Sequence, residues 1–522
     1  MPNVTFIRPE LEALMQEYNA IQDCILGEVA IKKATTLYLP KPNEADTSDD
    51  NAARYEAYIK RAVFYNAVRK TLNGLVGQVF MRDPIVKLPS YLKMVETNAS
   101  GTGLSLVQQA KKALADTLAY SRCGLLVDYP VTDGPASVYD IEEGFIRPTI
   151  TEYRPQDIIN WRVVDRGAEE ILSLVVLREA YIYEDDGFEI KIGAQFRVLR
   201  LVTDLDNGGL QCSVEIWREQ LPKKWDGLEK VRGNFVMISK VFPRDGNGKP
   251  LPQLPFTFIG SENNDAEPDE PNFYDMAALS IAHYRNSADY EESCFITGQP
   301  TPVITGLTSK WYEDVLNKRI DFGSRGGIPL PAGADAKLLQ ANEGTMLREA
   351  MQDKERQMVA LGAKLIEQKK VQRTAFEAKM ESTIEGSVLS SSAKNVEAAY
   401  LWALKLCAKF LAKPDTDIEF ELNTDFDISR ITPEERAATI IEWQAGAITF
   451  GEMRSVLRKS GSATEEDGPA KVSIEKDQKQ KADLEAKAAT KANEVKMTSK
   501  GSTKAKTVAT GSGEGVPKNP KV

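Results

Sequence analysis

The chain has 522 residues, 42% of them apolar and 27% charged, the balance of a soluble globular protein with room for about three domains. No apolar run reaches the roughly 18 residues that span a bilayer, and the single histidine, His283, excludes His-rich metal sites and two-histidine chemistry. With 66 basic against 76 acidic residues the net charge is −10, so any meeting with nucleic acid has to use local basic rings rather than overall attraction.

The five cysteines, Cys24, Cys123, Cys212, Cys294 and Cys407, are scattered and form no CxxC pair. They are expected to be reduced core thiols of a cytosolic protein. The start, MPNVTFIRPELEAL, lacks a basic region followed by an apolar core, so no signal peptide is expected.

In chain order, Pro9 to Tyr18 and Asp49 to Tyr65 read as helices around a Pro-containing loop. Arg61 to Phe80 reads as a helix whose Gly74 and Gly77 leave room for a close backbone approach. Asp83-Pro84 ends it, Leu104 to about Tyr120 is a further helix, and the apolar run from Cys123 is a buried strand. From Phe145 to Arg244 the apolar period becomes two, which predicts strands at Ile150–Tyr153, Ile158–Val164, Leu172–Tyr183, Gln195–Thr203, Gln211–Glu219 and Phe235–Val241.

The stretch from Asn272 to Ala412 predicts three long helices. The first runs from about Phe273 to Ile296, with Ala277, Ile281, Tyr284, Ala288 and Phe295 on one face; Pro271 bounds it before and Gly298 and Pro300 after. The second, capped by Thr345, carries Leu347, Met351, Lys354, Met358, Leu361 and Leu365 and extends toward Arg373. A run of roughly 25 residues is about 38 Å long. The third carries Leu389, Ala393, Val396, Tyr400, Leu404, Cys407 and Leu411. Narrow apolar stripes on long helices suit a repeated array, and they also suit an ordinary helical domain. Thr416 to Leu422 then alternates as a strand, Thr432-Pro433 opens a helix to about Ala445, and a second runs from Glu452 to Lys459. Beyond Ser462 aromatic residues vanish, and the last residues, Ser499 to Val522, are expected to be disordered.

The candidates for chemistry are weak. His283 sits mid-helix without a nucleophile motif and reads as structural. The loop from Asp204 superficially resembles a calcium loop with Glu215 at its twelfth place, but Asn207-Gly208 between strands reads as a hairpin turn. The acidic loop Glu262 to Pro271 reads as a solvated linker, and Glu184, Asp185 and Asp186 as a strand turn beside Gly187. A metal-dependent hydrolase would draw on Asp185, Asp265, Glu267 or Asp269 converging in one cleft. The Gly-rich stretch from Gly323 lacks a Walker lysine. No catalytic, cofactor or metal residue is assigned.

One set of segments in order carries a resemblance: Arg61-Ala through Val79-Phe80; Leu125-Leu-Val-Asp-Tyr-Pro; Arg147-Pro through Tyr153-Arg-Pro-Gln-Asp-Ile-Ile-Asn-Trp-Arg; Leu174-Val-Val-Leu-Arg-Glu; and Ala282-His-Tyr-Arg-Asn-Ser-Ala-Asp-Tyr-Glu followed by Gly298-Gln-Pro-Thr-Pro. Over about Arg61 to Gly461 the chain resembles tailed-bacteriophage portal proteins, the head-to-tail connectors. The resemblance implies an α+β portal-type fold assembled as a ring of twelve at one capsid vertex, a conduit for genome packaging and ejection. It implies residues 1–271 as wing with a β-rich part at 145–244, 272–297 as first stem helix, 298–342 as a small α/β clip and 343–372 as second stem helix. Residues 373–386 become a tunnel loop, 387–431 the long wing helix and strand, 432–461 a helical crown and 462–522 a flexible polar tail. Trp311 to Lys318 fits either a clip helix or an extension of the wing.

The implied partners are further copies of the chain, a terminase large subunit, a head-completion or neck adaptor protein, the major capsid protein, a scaffolding protein and double-stranded DNA bound without sequence preference, with no membrane. The implied location is the virion portal vertex, with host cytoplasm during assembly. Lys364, Lys369, Lys370, Arg373 and Lys379 are candidates to face DNA around the loop, and equally suit a solvated cationic helix end. Lys310, Trp311, Lys318, Arg319 and Arg325 are candidates for clip docking. A ring-forming virion or scaffold protein without a DNA channel is the other non-enzymatic reading.

Overall fold

The computed structural model describes residues 3–130, 146–203, 208–219, 235–298, 301–316, 329–339, 345–365, 387–424, 433–459, 468–477 and 479–480. It mixes helix and sheet, and separates into one unit up to Asp425 and another from Phe426.

The first unit opens with helices α1 (Pro9–Leu26), α2 (Glu28–Lys33), α3 (Asp49–Arg61) and α4 (Ala67–Val79). The break between α3 and α4 divides the expected helix from Arg61: Ala62 turns extended, and Asn66 caps α4 by accepting from Arg69 N at 2.9 Å. Gly74 and Gly77 lie on the open side of α4, where an added Cβ meets nothing within 4 Å. Among the described residues, nothing makes the close approach expected there. A short strand β1 (Ile85–Lys87) and helix α5 (Lys93–Thr97) lead to α6 (Leu106–Tyr120). Ser105 and Gln108 form a reciprocal capping box at its start.

The central sheet is β3 (Thr149–Tyr153), β2 (Arg122–Asp128) and β9 (Phe256–Gly260), antiparallel in that order. Both faces of β2 are buried, so its sequence is apolar without alternation. Every strand expected between residues 145 and 244 is present. β4 (Ile158–Arg166), β5 (Glu169–Asp185), β6 (Ile190–Thr203), β7 (Leu210–Glu219) and β8 (Phe235–Val241) form an antiparallel meander in sequence order. Thr203 pairs with Leu210, as a hairpin there requires, and Gly208 takes a φ of 66°. Asp204 to Asn207 lie outside the described residues. Glu215 is buried and paired with Lys240 at 2.9 Å, away from any calcium role.

Three long helices follow: α7 (Tyr274–Gly298), α9 (Thr345–Lys364) and α10 (Val388–Phe410). Between the first two lie β10 (Thr301–Thr305), α8 (Ser309–Asp314) and β11 (Asp335–Leu339). α10 departs from the expected narrow stripe. It packs on α6, β2 and β9, and buries Ser392, Ala399, Ala403 and Ala408 besides Leu389, Ala393, Val396, Tyr400, Leu404 and Cys407, whereas Leu411 is only half-buried. Small residues let sheet and helix close in on most sides, so α10 is the core axis of this unit. Its cap is Ser387, whose side chain accepts from Ser390 N at 3.3 Å. β12 (Glu419–Glu421) returns to pair with β1. Four cysteines are buried; Cys294 is exposed.

In the second unit α11 (Pro433–Gln444) and α12 (Phe450–Lys459) are joined by a turn in which Gly446 has a φ of 75°. Thr449 and Glu452 cap α12 reciprocally. Thr432 and the end from Ser499 lie outside the described residues.

Candidate functional site

The stretch singled out from the sequence builds an antiparallel helix pair with a β-ribbon between its ends. Tyr274 N donates to Pro271 O at 3.0 Å, opening α7 right after the proline. The first half of α7 is buried through Met276, Ala277, Ile281, His283, Tyr284 and Ala288. The N-terminal helices anchor it: Tyr58 Oη donates to Asp289 Oδ1 at 2.6 Å, Val63 N to Ser287 Oγ at 3.0 Å, and Arg61 pairs with Glu292. Beyond that the helix emerges. Phe295, expected on the buried face, is exposed, with the Arg61 guanidinium 4.3 Å over its ring. The stripe therefore ends at Ala288, because the packing partners end there.

α9 runs back along α7. Met276 lies beside Gly362, Ser280 Oγ is 3.2 Å from Met358 Sδ, and His283 Nε2 is 3.3 Å from Glu355 Oε1. Gly362 is there for closeness: a Cβ would come within 3.1 Å of Thr71 Cγ2 on α4 and 3.6 Å of Met276 Cε. Burial lowers the pKa of His283, against an upward pull from Glu355 and a downward one from Lys354. Thr345 is the first residue of the helix rather than its cap. Toward this end Leu347 and Met351 are only half-buried, while Met346 and Val359 are exposed on other faces. A single seam is thus buried, through Met358, Gly362 and Leu365. Leu389 N donates to Leu365 O at 3.3 Å and ties the end of α9 to the start of α10.

At the other end β10 and β11 pair antiparallel from Thr301↔Leu339 to Thr305↔Asp335. The chain thus leaves along α7, crosses a two-stranded ribbon and comes back along α9. α8 lies inside this excursion and is capped by Thr308, which accepts from Trp311 N at 3.3 Å.

The docking candidate Trp311 is half-buried and donates from Nε1 to Pro329 O at 3.2 Å, so it holds the excursion together. Lys310 is exposed. Lys318, Arg319 and Arg325 lie outside the described residues, as do Lys369, Lys370, Arg373 and Lys379. The side chain of Lys364, at the end of α9, is also outside them.

The hydrolase candidates serve their own loops. Asp185 Oδ1 accepts from Gly187 N at 2.8 Å and Asp265 Oδ1 from Glu267 N at 2.9 Å. Asp269 Oδ2 accepts from Glu262 N at 2.9 Å and from Ser261 Oγ at 3.2 Å. Among the described residues no group of three or more His, Cys, Asp or Glu is placed to hold a metal ion. The acidic loop exposes Glu262, Asp265, Glu267 and Glu270 to solvent, as expected, but it is anchored rather than free. Asn264 Nδ2 donates to Asn395 O on α10 at 2.9 Å, and the buried Arg122 donates to Ala266 O at 2.8 Å. Backbone carbonyls, invisible to composition, anchor it.

Two features went unsingled in the sequence. One is a pair of buried carboxylates met by surface cations: Lys112 Nζ is 3.1 Å from Glu152 Oε2, and Arg154 Nε is 3.2 Å from Asp116 Oδ2. The other is a cavity of about 390 Å³ at the end of α10, flanked by Trp402, Lys405, Lys409 and Lys413. The four-residue spacing of those lysines was the available signal.

No helix among the described residues is long and apolar enough to cross a membrane. A family model described as a domain of unknown function (DUF4055) matches residues 272–411, the span of the helix pair, its ribbon and α10. No curated protein matches the chain. Among solved structures, a chain from the virion of a native gene transfer agent particle is 14% identical with a TM-score of 0.37, over 83% of this chain and 98% of that one. A chain from the neck of an empty gene transfer agent particle is 12% identical with a TM-score of 0.37, over 82% and 98%.

Proposed function

We propose that the chain is a subunit of a portal-type ring of twelve, a non-enzymatic conduit through which DNA enters and leaves a capsid at one vertex. The observation that carries this reading is the α7–α9 pair. α7 has 25 residues, about 38 Å of helix. Among the described residues the pair buries one seam and leaves its outer half uncovered, which is what neighbours in a ring would cover. The ordered sequence resemblance to portal proteins supplies the roles. α7 and α9 are the stem, and the β10–α8–β11 excursion is the clip that docks a terminase large subunit and later a neck adaptor. Residues 373–386 are the tunnel loop, 432–461 the crown, and 1–271 and 387–431 the wing facing major capsid and scaffolding proteins.

Twelve copies at −10 each carry about −120, so the channel repels the duplex and lets it slide. Lys369, Lys370 and Arg373, repeated by symmetry, brush phosphates without reading bases. Charge reversal at these three positions tests the DNA role: particles with reduced genome filling from intact rings support it, and normally filled particles contradict it.

A further inference from the structure

β5 and β6 stay paired beyond the rest of their sheet. β4 pairing with β5 ends at Ile158↔Leu177, and β7 pairing with β6 ends at Gln195↔Arg218. The register nevertheless continues from Ala180↔Ala194 to Asp185↔Ile190. Residues 180–185 and 190–194 therefore form a ribbon about 20 Å long with no third strand among the described residues. Such ribbons are marginal in water by themselves. One face is made by Tyr181 and Tyr183 over Gly193, where a Cβ would meet the first ring at 3.0 Å and the second at 3.2 Å. The opposite face presents Ile182, Ile190 and Ile192, all exposed, and Phe188 at the tip is wholly exposed. The tip is acidic: Asp186 Oδ1 accepts from Phe188 N at 2.9 Å and Glu189 N at 2.6 Å, Asp185 flanks it, and Glu184 beside it is paired with Lys191 at 2.8 Å.

The cavity at the end of α10 has the complementary character. Lys405 and Lys409 line one side at helical spacing, Lys413 joins them past the helix end with Asp415 nearby, and Trp402 and Leu406 supply apolar wall. Gly246 N donates to Lys409 O at 3.1 Å and fixes the loop that brings Asn247 to the opposite wall. A helix end attracts lysines through its dipole, but that does not account for an aromatic-walled cavity beside them.

We propose that the ribbon tip of one copy docks in this cavity of the next copy, Phe188 against Trp402 and Leu406, with the tip carboxylates among the three lysines. An aromatic anchor in an apolar pocket with opposite charges beside it suits a contact that dominates an interface. Two different surfaces meet, so the contact is head-to-tail and closes into a ring when the rotation permits. The inference rests on the ring reading above and names the contact that holds the ring.

The test uses the full chain with Cys294→Ser. Phe188→Cys together with Lys409→Cys should give, on oxidation, a ladder of cross-linked multimers absent from either single variant. Lys405→Glu/Lys409→Glu/Lys413→Glu should raise the concentration for half-assembly at least about tenfold, with an unchanged circular dichroism spectrum. Adding Glu184→Lys/Glu189→Lys to that variant should restore assembly. Rings that form equally well in the triple variant, with no ladder, overturn this contact and leave the ring reading standing. A wild-type chain that stays monomeric overturns both.

Discussion

His283 on α7 and Glu355 on α9 face each other across the helix seam, Nε2 to Oε1 at 3.3 Å, with the His283 ring buried beside Tyr65 at a centroid distance of 5.7 Å. The lone histidine thus works as a packing and pairing residue. Its folded pKa lies below the ordinary 6.5 because burial disfavours the imidazolium. A depressed pKa gives stability that is present above 6.5 and lost as pH falls through the folded value. The Tm of the wild type should drop between pH 7.5 and 5, and His283→Gln should flatten that drop. Glu355→Gln removes a group that raises the pKa and should steepen it. Thermal scans across pH check all three.

Gly362 and Thr71 set the spacing of α9 on α4. Gly362→Leu should destabilise by about 1–3 kcal/mol through overpacking. Gly362→Ala gains about 1 kcal/mol of helix propensity and loses part of it to the 3.1 Å contact with the Thr71 methyl. Adding Thr71→Ser removes that methyl, so the double variant should exceed the wild type. Urea unfolding of the set measures the coupling.

The Glu152 and Asp116 side chains are buried, with Lys112 and Arg154 reaching them from the surface. Burial, with the Asp116 charge adding to it and Lys112 opposing, raises its pKa from 4.5 to about 8. A raised carboxyl pKa gives stability that is full below 4.5 and is lost as pH rises toward 8. Glu152→Gln should therefore melt higher than the wild type at pH 8.5, with the advantage shrinking steadily as pH falls to 4.5. An advantage independent of pH would contradict the assignment.

Arg122 is held between Phe258, 3.9 Å from its guanidinium carbon, and Trp161 at 4.4 Å. It also holds the acidic loop through Ala266 O. Arg122→Met should cost about 2–4 kcal/mol, the sum of a charged hydrogen bond and cation–π contact. Arg122→Lys should recover only part, since an ammonium cannot stack as a plane. Proteolysis of the loop Glu262 to Pro271 should quicken in both.

The strands of residues 149–241 were legible from their β-branched and apolar runs, although β5 and β7 each bury four successive residues rather than alternating, and α7 was legible from its first turns. What escaped depended on partners distant in sequence. β1 pairs Val86 with Phe420 over three residues, too short to carry a period. The breadth of α10's buried face came from alanines and serines, which a stripe of large apolar residues does not count. The solvation of the acidic loop was legible, but its anchoring was not, because its anchors are the carbonyls of Ala266 and Asn395. Of the candidate site, the helix pair was readable in apolar spacing, whereas the close packing at Gly362 was not, because its neighbour, Thr71, lies on another helix.

The central claim, a ring around a DNA channel, is tested most directly by electron microscopy of the purified full-length chain. The account predicts closed rings with twelve-fold symmetry and a central opening wide enough for duplex DNA. Particles that remain monomers at every concentration and salt tried, or closed assemblies with no axial opening, would contradict it.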